Sequence, residues 1–170
     1  DSATPSPPGG EAVRLRGGGG FGSAAALEQG VWRDDVRPGQ TLFYAVPVDW
    51  GQQVYTTADL GSASGGGAGG GFVPGGVNLA LYNPVRGLVD DTSISYNGGQ
   101  KSGALAALPP VGYDNRYAVS DRVGGMRFAG SYYLVVHLAA RVGEEFGDGP
   151  FGLTLRVRVK GEAGAGPGYA

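Results

Sequence analysis

The stretch that most restricts the fold is the segment 151–160, FGLTLRVRVK. Its apolar residues recur at every second position, as Phe151, Leu153, Leu155, Val157 and Val159. A period of two places them on one face of a β-strand and the charged residues on the other, which is typical of a half-buried antiparallel strand. The segment 131–139, SYYLVVHLA, is apolar on both faces. This indicates a central strand, and we predict it to be the pairing partner of 151–160.

Alternation elsewhere predicts about eight strands in total. The clearer ones are 42–48, 53–60 and 77–83, and weaker candidates are 31–36, 93–97 and 116–120. Only 23–29, SAAALEQ, has the cap and composition of a helix. We therefore predict an all-β fold with little helix, a two-sheet antiparallel β-sandwich of jelly-roll type. A barrel stays open, because periodicity does not separate the two.

Glycine and proline are unusually common, at 35 and 11 residues. Such a fraction is typical of low-complexity chains, but here the glycines concentrate in a few stretches. We predict a linker over 1–12, a β-sandwich domain over 13–160 and a second linker or stalk over 161–170. Residues 61–76 form a glycine-rich loop. Loops of this length are functional or disordered, and its lack of large side chains favours disorder.

Charge and composition exclude several classes of function. The 13 basic and 15 acidic residues leave a net charge of −2, and the basic residues form no cluster, so we expect no nucleic-acid binding. The absence of cysteine excludes disulfides, thiol nucleophiles and zinc–thiolate sites. No apolar run approaches the roughly 18 residues of a membrane span, so we expect no membrane insertion by this segment.

Catalytic chemistry finds little support. His137 is the single histidine, it lies within a predicted strand, and no G-x-S-x-G elbow accompanies it. Adjacent carboxylates such as Asp34 and Asp35 point to opposite faces of a strand and do not form a dyad. No glycine run continues into the Lys-Ser/Thr of a phosphate-binding loop. We predict that the protein is not an enzyme, with no catalytic residues and no cofactor.

Two kinds of binding site stay open. Calcium needs oxygen ligands, and separated loops offer two sets of them. One set is Asp90 and Asp91 with the carbonyls around them, and the other is Asp114, Asn115 and Asp121. Sugar rings need exposed aromatic side chains, and the candidates are Trp50, Tyr82, Tyr96, Tyr113 and Tyr117. The alternatives are that these acids are solvated turn residues and that these rings belong to the core. A stacking platform requires an exposed Trp50, whereas a structural spacer requires buried tryptophans.

Several strings resemble a known family. VWRDDVRPGQTLFYAVPVDWGQQVYTTADL is similar to the opening of bacterial pre-peptidase C-terminal domains, and FAGSYYLVV is similar to their closing strand. VPVDWGQQ and LYNPVRGLVDD resemble a module of actinobacterial secreted proteins that also carry a von Willebrand factor A domain and a membrane anchor. The resemblance spans residues 25–160. It implies a non-catalytic accessory β-sandwich without catalytic residues.

The predicted function is that of an accessory or interaction module of a secreted, cell-surface-attached bacterial protein. Its expected partners are neighbouring domains of the same chain or a cell-surface protein. The alternative is a carbohydrate-binding module that holds a glycan on exposed aromatic residues.

Overall fold

The computed structural model describes residues 12–63, 71–162 and 164, and these build two five-stranded sheets. The strands are β1 (Val13–Arg14), β2 (Ala25–Ala26), β3 (Gly30–Val36), β4 (Thr41–Val48), β5 (Gln53–Leu60), β6 (Val73–Tyr82), β7 (Leu88–Tyr96), β8 (Lys101–Ala104), β9 (Gly130–Leu138) and β10 (Phe151–Lys160). Two short α-helices are α1 (Asp121–Gly124) and α2 (Ala140–Phe146). Three 3₁₀ turns lie at Phe21–Ser23, Tyr113–Tyr117 and Gly125–Arg127.

The first sheet has the strand order β1-β3-β10-β5-β8 and the second β2-β4-β9-β6-β7. Within the described residues, β1 runs parallel to β3 and β2 parallel to β4, and every other neighbouring pair is antiparallel. The predicted all-β class is confirmed. In the described part of the chain, no helix has the length and apolar character needed to cross a membrane.

The two sheets face each other across one hydrophobic core. In β4 and β5 every second side chain is buried, as the alternation predicts. The largest fully buried side chains come from both sheets and from the 3₁₀ turn at Gly125–Arg127, and they are Tyr44, Tyr96, Tyr132, Phe151, Leu60, Leu79, Leu81, Met126, Leu134, Leu138, Leu153 and Leu155. Each buried Leu or Phe contributes about 1.5–3 kcal/mol by leaving water, so this shared layer holds the sheets together.

The predicted pairing of 131–139 with 151–160 is wrong. β9 lies between β4 and β6 in the second sheet, and β10 lies between β3 and β5 in the first. Both strands are central, as their apolar character indicates, but they belong to different sheets of the sandwich. Alternation determines which face of a strand is buried, and it carries no information about which strand lies alongside.

Two local predictions also fail. Residues 23–29 contain β2 instead of a helix, because Ala25 pairs with Tyr44 along the edge of β4 and the Leu27 amide donates to the Ala45 carbonyl at 2.7 Å. Sheet pairing here overrides the helical preference of alanine. Residues 116–120 hold the end of a 3₁₀ turn instead of a strand. β8 and α2 have no counterpart in the sequence prediction.

The glycine-rich loop is shorter than predicted. Val73 to Gly76 belong to β6, and Val73, Gly76 and Ala63 are buried. The predicted disorder concerns residues 64–70, which lie outside the described residues. The linkers predicted over 1–12 and 161–170 also lie largely outside them.

Residues 13–27, the edge segment, close one side of the sandwich. The segment begins beside β3, where the Gly17 amide donates to the Asp34 carboxylate at 2.7 Å, and continues to β4, where Gly18 bridges to Phe43. Farther along, Phe21 lies on the outer face of the second sheet. Its ring meets those of Phe43, Tyr82 and Tyr133 edge to face at centroid distances of 5.0, 5.2 and 5.1 Å. The segment therefore binds both sheets.

Three buried tyrosines predict how stability depends on pH. Burial raises the pKa of Tyr44, Tyr132 and Tyr96 above the ordinary value, and the hydrogen bond from Tyr44 to Asp34 raises that of Tyr44 further. A raised pKa favours the neutral hydroxyl in the folded state, so this stabilisation is present below the unfolded-state pKa of about 10 and is lost as the pH rises above it. Tyr44 and Tyr132, whose pKa values rise furthest, each cost about 1.4 kcal/mol per pH unit in that range.

We expect the free energy of unfolding, measured with urea, to fall steeply between about pH 9 and about pH 11. Tyr132→Phe should make the fall shallower, because phenylalanine does not ionise in the unfolded chain. Tyrosinate absorbance should show the buried hydroxyls titrating together with unfolding. Normal titration of all nine tyrosines in the folded protein would contradict this assignment.

Candidate functional site

Several connections between strands meet at one end of the sandwich, which we call the loop end. Within the described residues, they carry most of the exposed apolar side chains. The β4–β5 turn is joined to the long connection 105–129 by reciprocal bonds, Gly51 amide to Val111 carbonyl and Val111 amide to Gln52 carbonyl, both 2.8 Å. The β6–β7 turn is joined to the same connection, because the Asn83 side-chain amide donates to the Gly125 carbonyl at 3.2 Å. These loops form one continuous surface.

Two asparagines hold this surface in shape. Asn83 is buried, and its Oδ1 accepts the amides of Val85 at 3.1 Å and Gly87 at 2.9 Å, which closes the β6–β7 turn. Asn115 donates from Nδ2 to the carbonyls of Pro110 at 3.0 Å and Met126 at 2.8 Å. Side-chain amides thus satisfy backbone groups that no strand pairs, and the loops are held rigid.

Exposed apolar side chains concentrate at the loop end. Seven large hydrophobic residues of the described chain are exposed, and five of them lie on these two loops. Their exposed fractions are 62% for Val85, 51% for Leu88, 44% for Tyr113, 74% for Tyr117 and 102% for Val119. We call these five residues the loop-end patch. Clustered exposed apolar side chains on a soluble domain mark surfaces that bind other molecules.

A hollow of about 270 Å³ opens within the patch. Its lining consists of Asn83, Gly87, Leu88, Arg116, Ala118, Ser120, Gly124, Gly125 and Arg127. Among the described side chains, two arginines contribute to this lining and no carboxylate does. The hollow is therefore positively charged, although the chain as a whole has a net charge of −2.

Arg116 is held between two aromatic rings. Its guanidinium carbon lies 3.6 Å from the ring centroid of Tyr113 and 4.0 Å from that of Tyr117. The guanidinium also donates to the Tyr113 carbonyl at 2.8 Å and to the Tyr117 hydroxyl. Stacking of this kind contributes about 0.5–1 kcal/mol at exposed sites and fixes the direction of the cation.

A larger opening of about 630 Å³ lies at the same end of the sandwich. Its walls are largely apolar and include Pro47, Val48, Ala129 and Val159, and its rim carries the acidic residues Glu28 and Asp49. No basic residue lines it. The loop end therefore carries a basic hollow and an acidic groove side by side.

The aromatic residues predicted to bind sugars do not form one platform. Tyr113 and Tyr117 lie together in the loop-end patch. Trp50 is at the same end but is half-buried against the core, and Tyr82 is half-buried beneath Phe21. Trp50 thus meets neither the exposed state required of a platform nor the buried state required of a spacer.

Tyr96 offers no exposed ring face, contrary to its prediction as a stacking residue. Its side chain is fully buried, and its hydroxyl donates to the Gly61 carbonyl at 2.7 Å. The ring packs edge to face on Phe146 and Phe151. It ends β7 at the end of the sandwich opposite the loop end. Alternation alone does not distinguish this core ring from the exposed ones.

The aspartates predicted to bind calcium are not brought together. Asp90 accepts from Arg122 Nε at 2.8 Å, whereas its neighbour Asp91 accepts from Asn78 at 3.1 Å. The Asp114 side chain is fully exposed and lies 3.7 Å from Arg116. Asp121 begins α1. In the described part of the chain, no three His, Cys, Asp or Glu side chains form a group suited to a metal ion.

The remaining polar candidates have structural partners. His137 is exposed on β9, with its Nδ1 2.8 Å from the Thr41 hydroxyl. Asp34 and Asp35 point to opposite faces of β3, as the alternation predicts. Asp34 is buried, and Asp35 pairs with Arg14 at the surface.

Fold and surface together define a β-sandwich protein with a rigid, apolar loop end. No family model matches the chain, and no curated protein matches it. Among solved structures, it is similar to PliG, a periplasmic lysozyme inhibitor of g-type lysozyme, from Aeromonas hydrophila (13% identity over 80% of this chain and 96% of that chain, TM-score 0.40).

It is also similar to PliG from Salmonella Typhimurium (14% identity over 81% of this chain and 100% of that chain, TM-score 0.39) and to a mutant of the Escherichia coli inhibitor (13% identity over 79% and 100%, TM-score 0.35). Similarity at this level does not define a shared fold. No property of those inhibitors is transferred to this chain.

Proposed function

We propose that the protein is a non-catalytic interaction module of a secreted, cell-surface bacterial protein and that the loop-end patch is the surface by which it binds a protein partner. The observation that carries this proposal is the concentration of exposed apolar side chains on two hydrogen-bonded loops. Tyrosine and arginine are enriched in the parts of interfaces that contribute most of the binding energy. Tyr113, Arg116 and Tyr117 bring both residue types to the centre of the patch.

Rigidity of the loops supports the same proposal. Ordering a mobile loop on binding costs about 0.5–1.5 kcal/mol for each side chain that becomes fixed. The bonds made by Asn83 and Asn115 hold the backbone of both loops before a partner arrives. The backbone part of the ordering cost is therefore already met during folding, and only the side chains still become ordered on binding.

We also infer that the sandwich is of jelly-roll type. Support comes from the eight longer strands, which alternate between the sheets except at the β6–β7 hairpin. Their orders, β3-β10-β5-β8 and β4-β9-β6-β7, are those of two intertwined Greek keys. Membership of the pre-peptidase C-terminal family, and attachment to an actinobacterial cell surface, remain predictions that rest on the resemblance of the sequence.

Glycan binding is the weaker alternative. A sugar ring needs the flat face of an aromatic side chain. Arg116 already covers one face of each of the Tyr113 and Tyr117 rings, and Trp50 packs on the core. A protein partner needs no free ring face, because it contacts the edges of the rings together with Val119 and Leu88.

The test is a capture experiment on extracts of bacterial cell-surface proteins with a matched pair of variants. Tyr117→Ser/Val119→Ser removes two exposed side chains of the patch, and Val13→Ser/Phe72→Ser removes two exposed side chains outside it. We expect both variants to unfold at the wild-type temperature, since neither pair is buried. Only the patch variant should lose the captured protein, with at least a tenfold fall in affinity.

The captured protein is then purified, and its affinity for each variant is measured directly. Equal loss from both variants would mean that apolar exposure alone causes capture. Unchanged binding by the patch variant, or no protein retained by the wild type, would contradict the proposed function.

A further inference from the structure

We propose that the hollow in the loop-end patch receives a carboxylate of the protein partner, from an aspartate or glutamate side chain or a chain terminus. This inference rests on the proposed function of the patch and names the chemistry of its partner. It assigns separate tasks to two parts of one surface. The apolar rim supplies contact area, and the basic hollow selects a partner that presents an acidic group at its centre.

The charge of the hollow is the first argument. Arg116 and Arg127 line it, Ser120 adds a hydroxyl donor, and none of the lining side chains that the structure describes is acidic. The third arginine of this region, Arg122, is already committed to Asp90 at 2.8 Å and to the Ala107 carbonyl. One arginine of this region is thus neutralised within the chain, and the other two face the hollow. An anion complements their positive charge.

The fixed position of Arg116 is the second argument. A guanidinium has five N–H donors, and the Tyr113 carbonyl and Tyr117 hydroxyl accept two of them. The nearest carboxylate, that of Asp114, is 3.7 Å away and fully exposed, so solvent weakens this pair. Three donors remain on a cation whose direction the two rings determine. Arginine in such a position binds a carboxylate through two parallel hydrogen bonds.

Size and surroundings favour a side chain over a free ligand. Pockets for small-molecule ligands enclose about 300–1,000 Å³, and this hollow, at about 270 Å³, is below that range but has room for an acidic side chain. Leu88 and Val119 beside it are exposed to water in the isolated chain. When a partner covers them, water is excluded, and the hydrogen bonds between arginine and carboxylate become stronger.

The experiment is an NMR titration of the ¹⁵N-labelled chain with three probes. They are the blocked tetrapeptide acetyl-Glu₄-amide, its neutral counterpart acetyl-Gln₄-amide and inorganic phosphate. We expect the Glu peptide to shift the Nε–H signals of Arg116 and Arg127 and the amide of Ser120 in a saturable way. The Gln peptide should leave them unchanged, and phosphate should bind more weakly than the Glu peptide.

Two variants provide the controls. Arg127→Gln removes an exposed lining residue and should weaken binding of the Glu peptide at least fivefold. Arg37→Gln removes an exposed arginine at the opposite end of the sandwich and should leave binding unchanged. Their amide spectra report whether each variant keeps the native fold. If Arg127→Gln does not fold, Arg116→Lys, which keeps the charge but loses the two parallel hydrogen bonds of the guanidinium, should still weaken binding.

Three results would overturn the inference: equal shifts with the Gln peptide, equal shifts at Arg37 and Arg127, or tighter binding of phosphate than of the Glu peptide. Failure here is separable from failure of the proposed function. If Tyr117→Ser/Val119→Ser still abolishes partner capture, the patch is the interface and only the role of the hollow is wrong. If the Glu peptide causes no shift and Tyr117→Ser/Val119→Ser leaves partner capture unchanged, the loop end is not the binding surface.

Discussion

Asp34→Ala is expected to lower the free energy of unfolding by about 3 kcal/mol. The Asp34 carboxylate is buried and accepts three hydrogen bonds, from the Tyr44 hydroxyl at 2.6 Å and from the amides of Gly17 and Asp35 at 2.7 Å each. Alanine leaves all three donors without this acceptor. Each buried donor that loses its partner costs about 1–3 kcal/mol, and replacement by water near the protein surface recovers part of that.

The reason for so large an effect is the position of Asp34. It lies on β3 in the first sheet, Tyr44 lies on β4 in the second, and Gly17 belongs to the edge segment that joins them. One carboxylate therefore connects three parts of the fold at the open side of the sandwich. Loss of it should increase hydrogen exchange along residues 13–27 before the strands themselves unfold.

Two neighbouring substitutions serve as controls in urea unfolding. Tyr44→Phe removes one of the three donors and should cost about 1 kcal/mol. Asp35→Ala removes an exposed carboxylate that pairs with Arg14 at the surface, and it should cost less than about 1 kcal/mol. A result for Asp34→Ala no larger than that for Asp35→Ala would show that the buried carboxylate does not hold the edge segment in place.

Gly18→Ala is expected to be the second most damaging change, with a loss of about 2–3 kcal/mol. A Cβ atom on Gly18 would lie 1.9 Å from the backbone carbonyl oxygen of Ser23, far inside van der Waals contact. Backbone cannot rotate away as a flexible side chain does. The segment must therefore shift, and the bridge between Gly18 and Phe43 is lost together with the packing of Phe21 on the second sheet.

The next residue supplies the matched control. A Cβ on Gly19 meets no atom within 4 Å, so Gly19→Ala should change the melting temperature little. Replacing glycine by alanine also lowers the conformational entropy of the unfolded chain. This effect is the same for both variants, because both positions lie in the same GGGG run. Equal melting temperatures for the two variants would contradict the close packing of Gly18 against Ser23.

The run of glycines before Phe21 shows how sequence and structure differ in what they reveal. From composition, the glycine-rich stretches suggest linkers and loops. In the structure this run allows the backbone to come close enough to Asp34 and Ser23 to join the two sheets. A glycine selected for close approach and a glycine selected for flexibility look the same in a sequence, because neither has a side chain to reveal its surroundings.

The loop-end patch was found only in part from the sequence. Tyr113 and Tyr117 are recognisable as aromatic residues outside the clear strands, but Val85, Leu88 and Val119 carry no signal that distinguishes them from core residues. They become neighbours because the β6–β7 turn and the connection 105–129 meet at Asn83 and Gly125. The positive charge of the hollow also arises from tertiary structure. Arg116 and Arg127 are separated in the sequence, and they line the same hollow only in the folded chain.

Strand positions and buried faces follow from the sequence, because both depend on a pattern within one strand. β5 and β10 have the predicted bounds, and every second residue of β5 is buried. The sheet to which each strand belongs, the pairing of β10 with β3 and β5, and the clustering of the loop-end patch come from tertiary structure. They depend on contacts between residues that are distant in the chain. Such contacts involve two segments at once, and they produce no periodic pattern in the sequence of either one.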